Sequence, residues 1–303
     1  MTSQELTASW APKGQVYLRL GRVSNLPTVW SNCLAGIVLA GGQPEIVALL
    51  ALLVSLSCFY VGGMFLNDAF DRGFDAVYRP ERPLPAGEAR LGEVYAVGFG
   101  LLLAGEALLA LPWLARGEPP DLKLLLCGLI LGALIVYYNY HHKNNPLAPV
   151  LMALCRAMIY VTAAAATSAQ FSAETIVGAA ALTSYVTGLT CVARQENLRD
   201  VRNLWPVILL FLPVAVPFWM ASGRVAAEGL MLPLFLVWLV RALLFLARRT
   251  GRSVPRAVVS LIAGISLLDG LLIAGFPGRR LWVAACLAGF GLTLLLQRRI
   301  AGT

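Results

Sequence analysis

Residues 67–75 read Asn67-Asp68-Ala69-Phe70-Asp71-Arg72-Gly73-Phe74-Asp75 and directly follow a long apolar run. On an α-helix, the three aspartates occupy positions i, i+3 and i+7 and therefore share one face. Carboxylates this close repel one another unless a cation lies between them, and Mg²⁺ prefers carboxylates together with water and phosphate oxygens. Two interpretations are open: a magnesium site, or a solvated loop between membrane helices. The position beside lipid favours the magnesium site, because acids there are costly without a function.

The composition indicates a membrane protein. The 303-residue chain is 58% hydrophobic and only 13% charged, with a mean hydropathy of +0.73, whereas soluble domains carry about 25% charged residues. The deficit arises from long runs without charge, so we predict an all-α, polytopic membrane bundle in which residues 1–303 form one domain. The six cysteines are scattered, mostly in apolar runs, and we interpret them as packing residues rather than disulfides or metal ligands.

Ten stretches are candidates for membrane-spanning helices, which need about 20 predominantly apolar residues. Two short stretches, 121–138 and 205–222, are the weakest candidates. The prediction is therefore nine or ten spans. In chain order, the stretches are 23–41, 46–66, 92–115, 121–138, 147–168, 174–193, 205–222, 228–247, 257–275 and 280–297.

The distribution of basic residues predicts the topology. Ten spans place both termini on one side of the membrane, and that side carries 17 of the 24 lysines and arginines. The other side carries 5, and Arg156 and Arg241 fall inside spans. Because cytoplasmic loops are enriched in basic residues, we expect the acidic stretch to face the cytoplasm at the cell membrane. The same bias explains the net charge of +8 without a nucleic-acid partner.

Several basic residues are candidates for substrate contacts. Arg22 precedes the first span, Arg82 lies in a stretch with three prolines and a glycine (78–87), and Lys143 follows the fourth span. Prolines and glycine end a helix, so 78–87 is predicted to be a shaped loop. Arginine forks match phosphate oxygens, although each residue could equally balance charge or anchor a span. Arg156 lies inside the fifth span, where an arginine usually faces protein or a water-filled cavity.

A second polar cluster follows the sixth span. It reads Arg194-Gln195-Glu196-Asn197-Leu198-Arg199-Asp200. Glu196 and Asp200 are four residues apart and share a helix face. Two interpretations remain open. The two acids could hold a second cation, or they could pair with the neighbouring arginines while the site binds phosphate directly.

Other polar residues carry weaker signals. Asp269 lies in the middle of the ninth span, where a buried acid can neutralise an arginine or line a cavity; we assign it no catalytic role. His141 and His142 have no acidic sequence neighbour at metal-ligand spacing, which argues against zinc. The chain has no convincing P-loop, dinucleotide-binding fingerprint or nucleophile elbow.

The pattern Asn67-Asp68-x-x-Asp71-x-x-x-Asp75, followed by Arg82-Pro83-Leu84-Pro85-x-Gly87, resembles the first signature of UbiA-type intramembrane prenyltransferases. The resemblance covers most of the chain, from the arginine before the first span to the polar motif after the sixth. It implies a helical bundle around a central cavity that a long isoprenoid enters from the lipid. It also implies Mg²⁺-dependent transfer of a prenyl group from a prenyl diphosphate to an aromatic or other small acceptor.

The resemblance further implies site roles. Metal binding and catalysis fall to the acids Asp68, Asp71, Asp75, Glu196 and Asp200. Substrate binding falls to Asn67, Arg22, Arg82, Lys143, Arg194 and Arg156.

Two features depart from the family pattern. The second motif of the family is usually an aspartate-rich DxxxD, whereas this chain has Glu196-x-x-x-Asp200 within Ala-Arg-Gln-Glu-Asn, similar to the EboC-like branch. The family core also has nine spans, whereas ten stretches qualify here. Three alternatives therefore stay open: a terpene cyclase on the same scaffold, a non-catalytic isoprenoid- or lipid-binding protein, and a transporter. No internal repeat with paired broken helices supports the transporter.

Overall fold

The computed structural model describes residues 12–168, 170–194, 205–220, 228–247, 253–300 and 302. Across these ranges the regular structure is helical and no strand occurs, so the predicted all-α class is confirmed. In chain order, the helices are α1 (Lys13–Leu20), α2 (Leu26–Leu39), α3 (Ile46–Tyr78), α4 (Leu91–Leu114), α5 (Leu122–His141), α6 (Ala148–Ala165), α7 (Ala173–Ala193), α8 (Trp205–Phe211), α9 (Ala215–Met220), α10 (Glu228–Ala247), α11 (Ser253–Ala274) and α12 (Arg280–Gln297).

Within the described residues, seven helices are long and apolar enough to cross a membrane: α3, α4, α5, α6, α7, α11 and α12. Three shorter apolar segments, 23–39, 205–219 and 230–246, coincide with the other three predicted stretches. The membrane-bundle class follows from these lengths and compositions. The number of spans, nine or ten, stays a prediction.

Two helices extend beyond the membrane spans that the sequence predicted. The second span was expected to end at residue 66, but α3 continues to Tyr78 and is 33 residues long, about 50 Å against a hydrocarbon core of about 30 Å. Its last three turns, which carry the acidic stretch, therefore extend past the apolar run. Likewise, the fourth span was expected to end at residue 138, but α5 continues to His141, because no proline interrupts the helix before Pro146.

Helix α2 occupies the centre of the bundle. Eleven of its fourteen residues are buried, so protein rather than lipid surrounds it. It packs against α6, α11, α12 and α3. Small residues permit these close crossings. At Gly36, a Cβ atom would lie 2.6 Å from the backbone oxygen of Tyr160 on α6, so only glycine fits at this crossing.

The crossing of α2 and α6 generates a stability prediction. We expect Gly36→Val to lower the thermal unfolding midpoint of the detergent-purified protein by several degrees, because the Tyr160 backbone cannot yield without moving α6. Gly100→Val is the matched control, since nothing lies within 4 Å of a Cβ there. Equal midpoints for the two variants would contradict the proposed tight crossing.

Candidate active site

The acidic stretch forms one face of α3 and points into the protein. Asn67, Asp68, Asp71 and Asp75 are 7%, 5%, 8% and 1% exposed. The shared face expected from the i, i+3, i+7 spacing is therefore present, and the alternative of a solvated loop is wrong. Buried carboxylates need partners, and neighbouring elements supply them.

Asp68 is held between two arginines from different parts of the chain. Arg22 Nη2, from the turn before α2, lies 3.0 Å from Asp68 Oδ1, and Arg82 Nη1, from the loop after α3, lies 3.3 Å from the same oxygen. Arg82 Nη1 also lies 2.9 Å from Asp75 Oδ2. Two acids and two predicted phosphate contacts thus meet at one place.

Asp71 is paired with basic residues from a third part of the chain. Its Oδ1 lies 3.1 Å from Lys143 Nζ and 3.3 Å from His142 Nε2, both in the segment after α5. Lys143 Nζ also lies 3.5 Å from the ring centroid of Phe74, and His142 stacks on Tyr138 with centroids 5.0 Å apart. Lys143 was predicted to belong to the site. His142 was missed, because its acidic partner is distant in sequence.

Asn67 connects the acidic face to α5. Its amide donates to Asn139 Oδ1 at 3.0 Å, and Asn139 donates to the Gly63 carbonyl at 3.0 Å. Arg22 Nη2 in turn donates to Asn67 Oδ1 at 3.1 Å. Asn139 is 3% exposed and was not predicted, although a buried amide at the end of an apolar run is a signal that could have identified it.

Arg22 has an unusual backbone. Its φ is +43°, a left-handed conformation that non-glycine residues rarely adopt. The residue connects α1 to the short 3₁₀ turn at Val23–Asn25. Such strain persists where the surroundings over-determine it, and it clusters at functional sites. Here it accompanies a guanidinium that reaches both Asn67 and Asp68.

The loop that carries Arg82 is ordered by its own hydrogen bonds, as the proline-rich sequence predicted. Ala86 N donates to the Arg82 carbonyl and Glu88 N to the Pro83 carbonyl, both at 2.9 Å, and Gly87 adopts φ +75°. Leu84, which is 6% exposed, packs into an apolar cluster with Val16 and Leu20 of α1.

Arg19 of α1 braces the two sides of this loop. Its Nη1 donates to Glu88 Oε2 at 2.8 Å, and its Nη2 donates to the Glu81 carbonyl at 3.2 Å. Three residues later the chain reaches Arg22. Helix α1 therefore aligns Arg22 and Arg82, which share Asp68.

The remaining predicted residues lie at different distances from this cluster. Arg156, on α6, donates to Asn32 Oδ1 at 3.0 Å and is not among the partners of the acidic stretch. Arg194, directly after α7, interacts electrostatically with Tyr138, which also interacts with Arg22 and Asp71. Glu196 and Asp200 lie outside the described residues.

The donor set suits a hard cation. Carboxylate and amide oxygens are the ligands that Mg²⁺ takes, and Asp75 Oδ1 is buried without a hydrogen-bond partner in the described part of the chain. Each acid is, however, already paired with a basic side chain, and among the described residues no three His, Cys, Asp or Glu side chains are grouped as a metal site. The magnesium assignment therefore stays a prediction.

Comparison with known proteins identifies the family. A model of the UbiA prenyltransferase family matches residues 29–265, which include the whole acidic face and the Arg82 loop. The chain belongs to the UbiA prenyltransferase family. The resemblance carried by the first signature is thereby confirmed.

Curated relatives of this UbiA family member are named prenyl-transferring enzymes. Digeranylgeranylglyceryl phosphate synthase of Natronomonas pharaonis is 27% identical over 236 residues, which are 72% of this chain and 80% of the relative. The match to the enzyme of the same name from Methanopyrus kandleri is 28% identical but spans 44% of this chain and 46% of the relative. The 4-hydroxybenzoate octaprenyltransferase of Shewanella woodyi is 29% identical over 44% of this chain and 47% of its own length.

Solved structures share the UbiA fold. A digeranylgeranylglyceryl phosphate synthase aligns over 87% of this chain and 98% of its own with a TM-score of 0.60 and 17% identity. A UbiA homologue from Archaeoglobus fulgidus bound to DMAPP and Mg²⁺ aligns over 91% of this chain and 99% of its own with a TM-score of 0.56 and 14% identity. At such identities the likeness concerns the fold.

The Arg19 brace generates a prediction about the Arg82 loop. We expect Arg19→Ala to raise amide hydrogen exchange of residues 82–88 by about two- to fivefold, the range for a partly exposed ion pair. Arg116→Ala, which removes a surface pair with Glu118, is the control and should leave this peptide unchanged. If exchange in 82–88 is the same in both variants and the wild type, α1 does not brace the loop.

Proposed function

We propose that the protein transfers a prenyl group from a prenyl diphosphate to an acceptor inside the membrane, with Mg²⁺ as cofactor, and that residues 1–303 act as one domain. The observation that carries this proposal is the buried face of α3, where three carboxylates meet three permanent cations, Arg22, Arg82 and Lys143. A site with both charges can bind a diphosphate through the cations and its counter-ion through the acids.

The basic side chains bind the substrate headgroup. Arg22, Arg82 and Lys143 lie on three sides of the acidic face, so their N–H donors can converge on phosphate oxygens. Asp68, Asp71 and Asp75, assisted by Asn67, would hold Mg²⁺, which supplies positive charge that stabilises the leaving diphosphate. Glu196, Asp200 and Arg194 follow α7 in the sequence. We assign the two acids the role of holding a second ion or orienting the first, and Arg194 a contact to phosphate oxygens.

The chemistry then depends on charge stabilisation and on water exclusion. The bond between C1 of the prenyl group and the diphosphate oxygen breaks, and its electrons leave with the diphosphate that Arg22, Arg82 and Lys143 stabilise. The acceptor attacks C1 and loses a proton. Apolar and aromatic walls keep water from competing, and apolar burial between the helices holds the isoprenoid chain.

The comparisons support this proposal. A structure with the same fold is bound to DMAPP and Mg²⁺, and relatives are named for the transfer of prenyl groups. Their names include two acceptor types, a glyceryl phosphate and a hydroxybenzoate. The bias of basic loop residues supports placing the acidic face at the cytoplasmic side of the cell membrane.

Neutralising the acidic face tests the proposal. We expect Asp68→Asn and Asp71→Asn each to lower Mg²⁺-dependent diphosphate release from geranylgeranyl diphosphate by about 100-fold or more, and EDTA to abolish release by the wild type. Glu118→Gln, at an exposed acid in the segment before α5, is the control. Undiminished release in either aspartate variant would remove the acidic face from the mechanism.

The same assay distinguishes the alternatives. Cyclic or rearranged hydrocarbon products formed without any acceptor would indicate a terpene cyclase. Prenyl diphosphate binding that survives EDTA, with no turnover at any chain length, would indicate a binding protein.

A further inference from the structure

Arg156 presents a guanidinium to the interior of the bundle. On α6, the lipid-facing side is marked by Leu147, Val150 and Leu154, which are 63%, 38% and 37% exposed. Arg156 is two residues beyond Leu154 and therefore about 200° away around the helix. Its partial exposure consequently opens towards the inside of the protein and not towards lipid.

A buried relay fixes the position of this guanidinium. Arg156 Nη1 donates to Asn32 Oδ1 at 3.0 Å, and Asn32 Nδ2 donates to both carboxylate oxygens of Asp269 at 3.0 and 2.9 Å. A carboxylate only accepts, so the Asn32 amide nitrogen must face Asp269 and its oxygen must face Arg156. Tyr160 also donates to Asp269, and Asn32, Tyr160 and Asp269 are all fully buried.

The relay leaves most of the guanidinium unused. Arginine has five N–H donors, and within the described residues Arg156 makes one hydrogen bond and no direct ion pair. The oxygens of Asp269 are engaged by Asn32 and Tyr160. A charged group inside a membrane bundle is costly without a partner, so the fold maintains a cation whose remaining donors are available to a ligand.

Arg156 lies on the same side of α3 as the acidic face, but deeper in the bundle. Its guanidinium is 5.2 Å from the ring centroid of Tyr60, and Tyr60 precedes Asp68 by eight residues on one helix face, about 12 Å along the axis. The Tyr60 hydroxyl donates to the Arg22 carbonyl at 3.4 Å. Arg156 is therefore connected to the diphosphate site and lies on its inner side.

We propose that Arg156 binds an oxyanion of the acceptor, a carboxylate or a phosphate, and that Asn32 and Asp269 are positioning residues for it. The inference rests on the proposed prenyl transfer and specifies its acceptor class. An acceptor anchored at this depth has its nucleophilic atom between Arg156 and the diphosphate site, where C1 of the prenyl group lies. A neutral acceptor would leave the half-buried guanidinium without an anionic partner and is therefore disfavoured.

Matched acceptor pairs test this inference. With geranylgeranyl diphosphate and Mg²⁺, kcat/KM is measured for 4-hydroxybenzoate against phenol, and for a 1-O-alkylglycerol 3-phosphate against the alkylglycerol. We expect the wild type to favour the anionic member of at least one pair by about tenfold or more, as for one charge-assisted hydrogen bond. The pair that shows the preference identifies the oxyanion as carboxylate or phosphate.

Variants test whether Arg156 is the cause of the preference for anionic acceptors. Arg156→Gln should abolish it without changing the KM for geranylgeranyl diphosphate, Arg156→Lys should retain part of it, and Asp269→Asn should weaken it. Arg241→Gln is the control, because Arg241 also lies within a helix but is exposed and stacks on Trp238. Thermal unfolding midpoints identify variants that are merely misfolded. If Arg156→Gln is one of them, the preference of Arg156→Lys is compared with that of the wild type instead.

Two outcomes would overturn the inference: no preference for the anionic member of either pair in the wild type, or a full preference retained in Arg156→Gln. Its failure is distinguishable from failure of the proposed function. If only the inference fails, the wild type still releases diphosphate from geranylgeranyl diphosphate in the presence of Mg²⁺. If the proposed function fails, the wild type releases no diphosphate.

Discussion

The pairing of three buried carboxylates on α3 with cations from other elements is the interaction on which the site depends. Removing one partner from a buried ion pair costs about 3–5 kcal/mol, so Asp68, Asp71 and Asp75 require the cations that surround them. Those cations come from the turn before α2, from the loop after α3 and from the segment after α5. Charge neutralisation thus brings together segments that are far apart in sequence, and it does so with the groups that a diphosphate and Mg²⁺ require.

This pairing also explains the shape of the local backbone. Arg22 adopts a positive φ so that its guanidinium reaches α3, and the Arg82 loop is closed by its own hydrogen bonds and braced by Arg19. Both arginines contact Asp68 Oδ1. One carboxylate oxygen cannot hold two guanidinium groups and a metal ion in the same geometry. Under the proposed function, these contacts would therefore be redistributed, with the arginines moving from carboxylate to phosphate oxygens.

The sequence predicted the parts of the site that depend on local spacing. The aspartates share a helix face because positions i, i+3 and i+7 do so in any α-helix, and the loop containing Arg82 is ordered because prolines restrict it. It could not reveal that His142 faces Asp71 or that Asn139 bonds Asn67, since those pairs are separated by about seventy residues. The histidines were judged by their sequence neighbours, and that criterion fails when the acid comes from another helix. The continuation of α3 past residue 66, where the apolar content ends, agrees with the helical interpretation of the acidic stretch, and buried ion pairs accompany the helix there.

The polar residues inside the bundle differ in type with their depth along α3. Along one face of α3, the acids lie at the outer end, Asn67 marks the boundary of the apolar run, and Tyr60 lies about 12 Å further in than Asp68 beside Arg156. Prenyl transfer requires a charged headgroup, an apolar tail and a nucleophile to meet at one carbon atom. In the proposed function, the charge of the headgroup would be neutralised at the outer end, and the tail would pass between apolar helices. Arg156 is a fixed cation at this depth. We therefore assign it to the acceptor, because neither the diphosphate headgroup nor the apolar tail needs a positive charge there. The hydrogen bonds from Arg156 to Asn32 and from Asn32 to Asp269 place a carboxylate near the cation without a direct ion pair. This lowers the free-energy cost of holding the guanidinium inside the bundle, while its other N–H donors stay available.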